Sequence, residues 1–190
     1  RLHLAHVSAR ETVDLIRLAK KRGVKVTAEA TPHHLTLTDE ELAGYVSRFK
    51  MNPPLRTRED VMAVVEALID GTIDVIASDH APHTIEEKER EIDACPFGVV
   101  GLETTVGVLL SSKIPLIRVI EALTAAPARI LGLKAGSLSV GAEADVTLID
   151  PQATWTVDAA AFKSKGRSSP WNGRKLRGHV VHTLIGGTVV

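Results

Sequence analysis

Aromatic residues make up only 3% of the 190-residue chain, and Cys95 is its single cysteine. Sparse aromatics beside 44% hydrophobic residues leave aliphatic side chains to fill a core, the packing habit of α/β folds, and argue against disorder. One thiol excludes an intrachain disulfide framework and fits a reducing, cytoplasmic compartment. An excess of charge is missing too. Twenty-three basic residues balance twenty-three acidic ones, so no basic field points to nucleic acid or to an anionic membrane. No run approaches the roughly 18 uninterrupted apolar residues of a spanning helix, and no signal-peptide pattern opens the chain. Small neutral or anionic metabolites remain as partners.

What is there is a repeated pattern of apolar runs ending on polar, metal-type side chains. Ile73-Asp74-Val75-Ile76-Ala77-Ser78 closes on Asp79-His80-Ala81-Pro82-His83, where a buried strand surfaces beside a carboxylate and two imidazoles. Upstream, Leu2-His3-Leu4-Ala5-His6 ends on His6, and Val24 to Ala30 runs through Glu29 into Thr31-Pro32-His33-His34. Helical spacing separates these runs. Ser8 with Glu11 suggests a capping box ahead of Leu15, Ile16, Leu18 and Ala19, with Gly23 at the C-terminal stop. Thr57 is the expected N-cap of a second helix reaching Leu68. Strand, helix, strand, loop, helix, strand is the order of parallel βα units that gather chemistry at the strand C-termini.

Further helices are expected at Leu116 to Leu123 and Pro127 to Leu131, whereas Ile85 to Pro96 reads as a charged loop or short helix whose charges are solvated. After Leu133 the composition changes to short strands and tight turns, around Asp145 to Asp150 and Val180 to Gly187, with Ser164 to Arg177 as a long surface loop. The division expected is therefore residues 1–133, a partial barrel, and residues 134–190, a β-rich segment. Three βα units fall well short of the eight units and about 250 residues of a complete barrel. Arg1 also lies almost inside a strand, so the chain is expected to be part of a longer protein.

His6 and Asp79 are the strongest candidates for chemistry, since imidazole and carboxylate suit a divalent metal such as zinc. A carboxylate touching an activated water can also take its proton and pass it to a leaving nitrogen, which makes Asp79 the candidate catalytic residue. Two ligands hold a catalytic metal weakly, so the rest of the set is expected outside this sequence. Glu29, His34 and His80 are candidates for orienting those ligands, and His33 and His83 add donors. Asn52, in Met51-Asn52-Pro53-Pro54-Leu55-Arg56, can offer both a donor and an acceptor to a cyclic amide edge. Phe97 and Gly98 offer backbone N–H groups, with Gly98 allowing close approach of a ligand.

Taken together, HLAHVS (3–8), EATPHHLTLTDE (29–40), MNPPLR (51–56), SDHAPHTIEEK (78–88), CPFGVVGLET (95–104), APARILGL (126–133) and GSLSVGAEADVTLID (136–150) resemble the dihydroorotases of the class I bacterial type. These are cyclic amidohydrolases of pyrimidine biosynthesis. The resemblance implies the last three βα units, strands six to eight, of a TIM-type (β/α)8 barrel, followed by a β-rich domain segment. It implies His6 as a zinc ligand at the sixth strand and Asp79 as ligand and general acid/base at the eighth, with one or two zinc ions. Asn52, His83 and the Phe97-Gly98 backbone would meet the substrate, His83 at its carboxylate. The implied reaction is the reversible closure of N-carbamoyl-aspartate to dihydroorotate with loss of water. The family's His-x-His pair, the arginine after it, the bridging carboxylate and the fifth-strand histidine are absent, so these residues alone are expected to be inactive. A homodimer or association with aspartate carbamoyltransferase is the implied assembly. The alternatives are another cyclic amidase (hydantoinase, dihydropyrimidinase or allantoinase) or a non-catalytic dihydroorotase-like subunit of an aspartate carbamoyltransferase complex. Retention of His6 and Asp79 speaks against the last.

Overall fold

The computed structural model describes residues 1–190. Its first part alternates as the apolar pattern requires: β1 (Leu2–Leu4), α1 (Arg10–Lys21), β2 (Val26–Ala30), α2 (Pro32–Thr36), α3 (Arg58–Asp70) and β3 (Val75–Ile76). The strands form a parallel sheet in the order β1-β2-β3, with Leu2 opposite Val26 and Ala30 opposite Ile76. All three strands therefore deliver their C-terminal residues to one edge, where His6, Thr31 and Asp79 emerge. A short helix α4 (Ile85–Lys88) follows, then α5 (Thr105–Ser111), α6 (Leu116–Leu123) and α7 (Ala125–Leu131). The remainder is an antiparallel sheet of β4 (Val146–Thr156), β5 (Lys175–Ile185) and β6 (Thr188–Val189). No helix is long and apolar enough to cross a membrane.

One core cluster joins the sheet to its helices through Val13 and Ile16 of α1, Val64 and Leu68 of α3, Leu109 of α5 and Val119 of α6. Val13 and Ile16 are buried one turn apart, while Leu15 remains 66% exposed on the face away from the sheet. A second cluster binds the loops above the strand ends to the antiparallel sheet, through Phe49, Met51, Val99, Val100, Trp171 and Leu176.

Thr57 caps α3 as expected, its hydroxyl accepting from the Asp60 N–H at 3.3 Å. The expected capping box of α1 does not form. Ala9 occupies the N-cap, and the Arg10 N–H is instead satisfied by the Asp60 carboxylate at 2.9 Å. Ser8 is turned inward, where its hydroxyl accepts from Arg56 Nε at 3.4 Å. The segment expected as a surface loop from Ser164 to Arg177 is a further correction. Ser169 and Trp171 are buried, the Ser168 carbonyl accepts from the Val100 N–H at 2.8 Å, and β5 already begins at Lys175. Trp171 supplies the apolar area that holds this polar stretch against the site loops.

Close packing of α5 on β5 depends on Gly178, whose φ is +89° and whose added Cβ would sit 2.4 Å from Leu110 Cδ1. Both the left-handed backbone and the overlap penalise a side chain there. Gly178→Ala should lower the unfolding free energy by about 2–4 kcal/mol in a urea titration, at unchanged m value. An unaltered midpoint would contradict this packing.

Candidate active site

His6 follows β1 directly and Asp79 follows the β3 run, and both have left-handed backbone, with φ of 54° and 46°. For residues other than glycine this conformation costs of order 1–3 kcal/mol, and such strain clusters where side-chain direction matters. Here it turns the two side chains toward each other: His6 Nε2 lies 3.6 Å from Asp79 Oδ1. Two ligands of one tetrahedral zinc ion stand roughly 3.4 Å apart, so the pair has the spacing of a shared cation site. No group of three or more His, Cys, Asp or Glu side chains is disposed to hold a metal ion by itself. The donor chemistry thus fits a metal whose coordination needs further protein groups.

Glu29 projects from β2 between two imidazoles. Its Oε1 lies 2.9 Å from His6 Nδ1, and its Oε2 accepts from or pairs with His3 Nε2 at 3.0 Å. The His6 contact is close but off the line of an N–H, so Nδ1 is buried without a directed hydrogen bond. His33, fully buried at the start of α2, places Nε2 3.8 Å from Asp79 Oδ2, and neither of its ring nitrogens has a partner. Burial holds its pKa well below the ordinary histidine value, with the charges of His34 and His6 adding to the effect. Burial also raises the Asp79 pKa, opposed by His6 and assisted by the Glu29 charge. A carboxylate with a raised pKa is better suited to holding and returning a proton.

His34 does not join this group. Its Nδ1 meets Thr31 Oγ1 at 2.8 Å and its Nε2 meets the Pro53 carbonyl at 2.9 Å, so it anchors the turn that carries Asn52. Burial lowers its pKa to about 4, opposed by the Pro53 hydrogen bond. The unfolded chain therefore takes up a proton near pH 6.5 that folded His34 refuses until about pH 4. Stability from this residue is complete above pH 6.5 and falls by roughly 3 kcal/mol as pH drops to about 4. In His34→Gln, urea titrations across this window should show a shallower acid loss; an identical slope would contradict the assignment.

Near Asp79, the backbone continues in register with Val99: the Ala81 N–H donates to the Val99 carbonyl at 3.0 Å, and His80 bridges to Val99. His80 Nδ1 accepts from the Gly101 and Leu102 N–H groups at 3.3 and 3.2 Å, so it pins the following turn rather than orienting His6 or Asp79. His83 Nε2 donates to the Phe97 carbonyl at 2.9 Å, and its Nδ1 lies 3.5 Å from Glu87 Oε2. The Gly98 N–H donates to the Lys50 carbonyl at 3.1 Å. At Gly98, with φ of +119°, the close approach is made by Ala81, whose Cβ would stand 2.6 Å from an added Cβ. Asn52 is exposed, and the Phe97 ring is exposed beneath Lys50 Nζ, 4.6 Å from its centroid. Asn52, His83, Phe97 and Gly98 thus lie on loops braced to one another beside the Asp79 strand end.

Two residues escaped the sequence reading. His3 appeared there only as a strand position, yet it shares Glu29 with His6; its i, i+3 spacing to His6 was the available signal. Lys88 was counted among solvated charges and is buried. The Thr84-x-x-Glu87 capping box that places Lys88 at the end of α4 was visible in sequence, but its burial was not.

The profile of the amidohydrolase family matches residues 1–190. Among curated relatives, the chain is 54% identical to a dihydroorotase of Anaeromyxobacter dehalogenans strain 2CP-1, covering 100% of this chain and 45% of the relative. It is 55% identical to a dihydroorotase of Pelotomaculum thermopropionicum, covering 100% and 46% respectively. The chain thus spans just under half the length of these relatives. An L-hydantoinase (dihydropyrimidinase) structure from Arthrobacter aurescens superposes with a TM-score of 0.94 at 33% identity, over 100% of this chain and 44% of that one. A dihydropyrimidinase structure from Brevibacillus agri gives 0.92 at 26% identity, with the same coverage. The parallel βα layer, the close His6–Asp79 pair at its strand ends and a profile match over all 190 residues agree: this α/β chain belongs to the amidohydrolase family.

Proposed function

We propose that the chain is the C-terminal part of a dihydroorotase, closing N-carbamoyl-L-aspartate to dihydroorotate and reopening it, for de novo pyrimidine synthesis in the cytoplasm. The observation carrying this reading is the 3.6 Å approach of His6 Nε2 to Asp79 Oδ1 on two left-handed strand ends, in a sequence more than half identical to dihydroorotases. In this reading residues 1–133 are strands six to eight of a (β/α)8 barrel with their helices, and 134–190 belong to the accompanying β-rich domain. The rest of the barrel and the remaining metal ligands belong to a longer parent. A homodimer or an aspartate carbamoyltransferase complex is the assembly carried over from the family.

His6 and Asp79 would hold zinc, which when bound supplies an activated water and polarises the amide carbonyl. In the ring-opening direction Asp79 accepts the proton of the attacking water. It then delivers that proton to the ring nitrogen as the C–N bond breaks, and reversal of these transfers closes the ring. Glu29, whose Oε1 lies 2.9 Å from His6 Nδ1, is placed to orient that imidazole once its N–H turns onto the carboxylate. Of the backbone donors proposed for substrate, the Phe97 N–H makes no protein hydrogen bond, whereas the Gly98 N–H is committed to Lys50. Asn52 is free to meet the amide edge. His83, already donating to Phe97, would need to exchange that bond for one to the substrate carboxylate.

The test is turnover by the full-length parent. Dihydroorotate should be used with kcat/KM at least about 100-fold above that for hydantoin or allantoin, as expected of a site built to hydrogen-bond its substrate. The isolated 190-residue chain should be inactive. Preference for hydantoin would favour the hydantoinase reading that the structural neighbours motivate, and an inactive parent would favour the non-catalytic subunit.

A further inference from the structure

Lys88 is the only lysine, arginine, aspartate or glutamate among the buried residues, with 4% exposure. An ammonium is costly to bury without a carboxylate, so what it touches matters. Its Nζ donates to the carbonyls of Pro96 at 2.9 Å and Gly98 at 3.0 Å, one on each side of Phe97. Lys88 is itself fixed, its N–H donating to the Thr84 carbonyl at 3.2 Å and its own carbonyl accepting from the Ser47 hydroxyl. The peptide between Phe97 and Gly98 is held at its N–H by the Lys50 carbonyl, and its oxygen accepts from His83 until that imidazole turns to the substrate. Lys50 Nζ adds bonds to the Asp93 and Cys95 carbonyls at 3.0 and 2.7 Å. From Cys95 to Gly98, the amide left without an acceptor is that of Phe97.

A planar trans peptide carries its C=O and N–H in opposite directions, and the Pro96-Phe97 bond is trans. Drawing the Pro96 oxygen inward onto Lys88 therefore turns the Phe97 N–H outward. The positive charge behind that carbonyl also polarises the peptide and strengthens its N–H as a donor. Gly98 meanwhile packs on Ala81, two residues beyond Asp79, so the loop carrying this donor is tied to the segment that follows Asp79. We propose that Lys88 is a positioning residue for substrate recognition, aiming the Phe97 N–H at an acceptor oxygen of the bound cyclic amide by clamping the carbonyls on either side of it. The proposal rests on the dihydroorotase reading and adds to it the residue that sets the donor's direction.

The test uses the full-length parent, with wild-type turnover as control. Lys88→Met keeps the apolar stem and deletes the ammonium, and should raise KM for dihydroorotate about 10-fold or more with kcat within about threefold. Lys88→Gln, which keeps one amide donor, should give a smaller rise. A merely structural role would instead lower thermal stability and leave KM unchanged, and unchanged KM in either folded variant overturns the proposal. In the wild type, hydrogen exchange at the Phe97 amide should slow when dihydroorotate binds. Unchanged exchange there overturns the proposal even if neither variant folds. A wild-type parent without dihydroorotase activity overturns the functional reading first, and the proposal with it.

Discussion

Asp79→Asn in the full-length parent is expected to reduce kcat on dihydroorotate by about 10³-fold or more. Proton transfer by a positioned side chain is worth roughly 10²–10⁴-fold, and in the proposed mechanism this substitution would also remove a negative ligand from the zinc. Asparagine suits the experiment because it matches aspartate in size and readily adopts the left-handed backbone found at Asp79, φ 46°. The variant should therefore fold with an unaltered melting temperature, and the lost activity will report chemistry rather than unfolding. Steady-state kinetics in both directions should fall together, since the same carboxyl handles the proton each way. A variant keeping more than about a tenth of wild-type kcat would remove Asp79 from the proton path.

His6→Asn should weaken zinc binding by at least about 100-fold. Removing a group that merely orients a ligand typically costs 10–100-fold in metal affinity, and deleting a ligand should cost more. The φ of 54° at His6 is again tolerated by asparagine, so metal affinity can be measured by chelator competition on a folded protein. Glu29→Gln, acting through His6 Nδ1, should show a smaller loss. Equal affinities for wild type and His6→Asn would place the ion elsewhere.

The meeting of His6 and Asp79 was legible in sequence because both end apolar runs, and parallel strands deliver their C-terminal residues to one edge. The helix ends at Thr57 and Leu116 were legible for a local reason, since a side-chain cap or a proline acts within one turn. Features depending on distant partners were not. Asp60, fifty residues from Arg10, took the place of the expected Ser8 cap. The stretch from Ser164 to Arg177, rich in basic residues and glycine, hid Trp171 and the start of β5 because their burial is decided by Val100 and α5. Lys88 was obscured in the same way. A lysine in a run of charged residues reads as solvated, and only the fold of residues 93–98 around it shows its ammonium capped by carbonyls. The Gly98 N–H, expected to face a ligand, is taken by Lys50 for an equally nonlocal reason.

Anomalous diffraction at the zinc edge from crystals of the full-length parent tests the shared-cation assignment most directly. The expected result is a peak about 2.0–2.2 Å from both His6 Nε2 and an Asp79 carboxylate oxygen. A zinc peak contacting neither side chain, in a protein that turns over dihydroorotate, would contradict it.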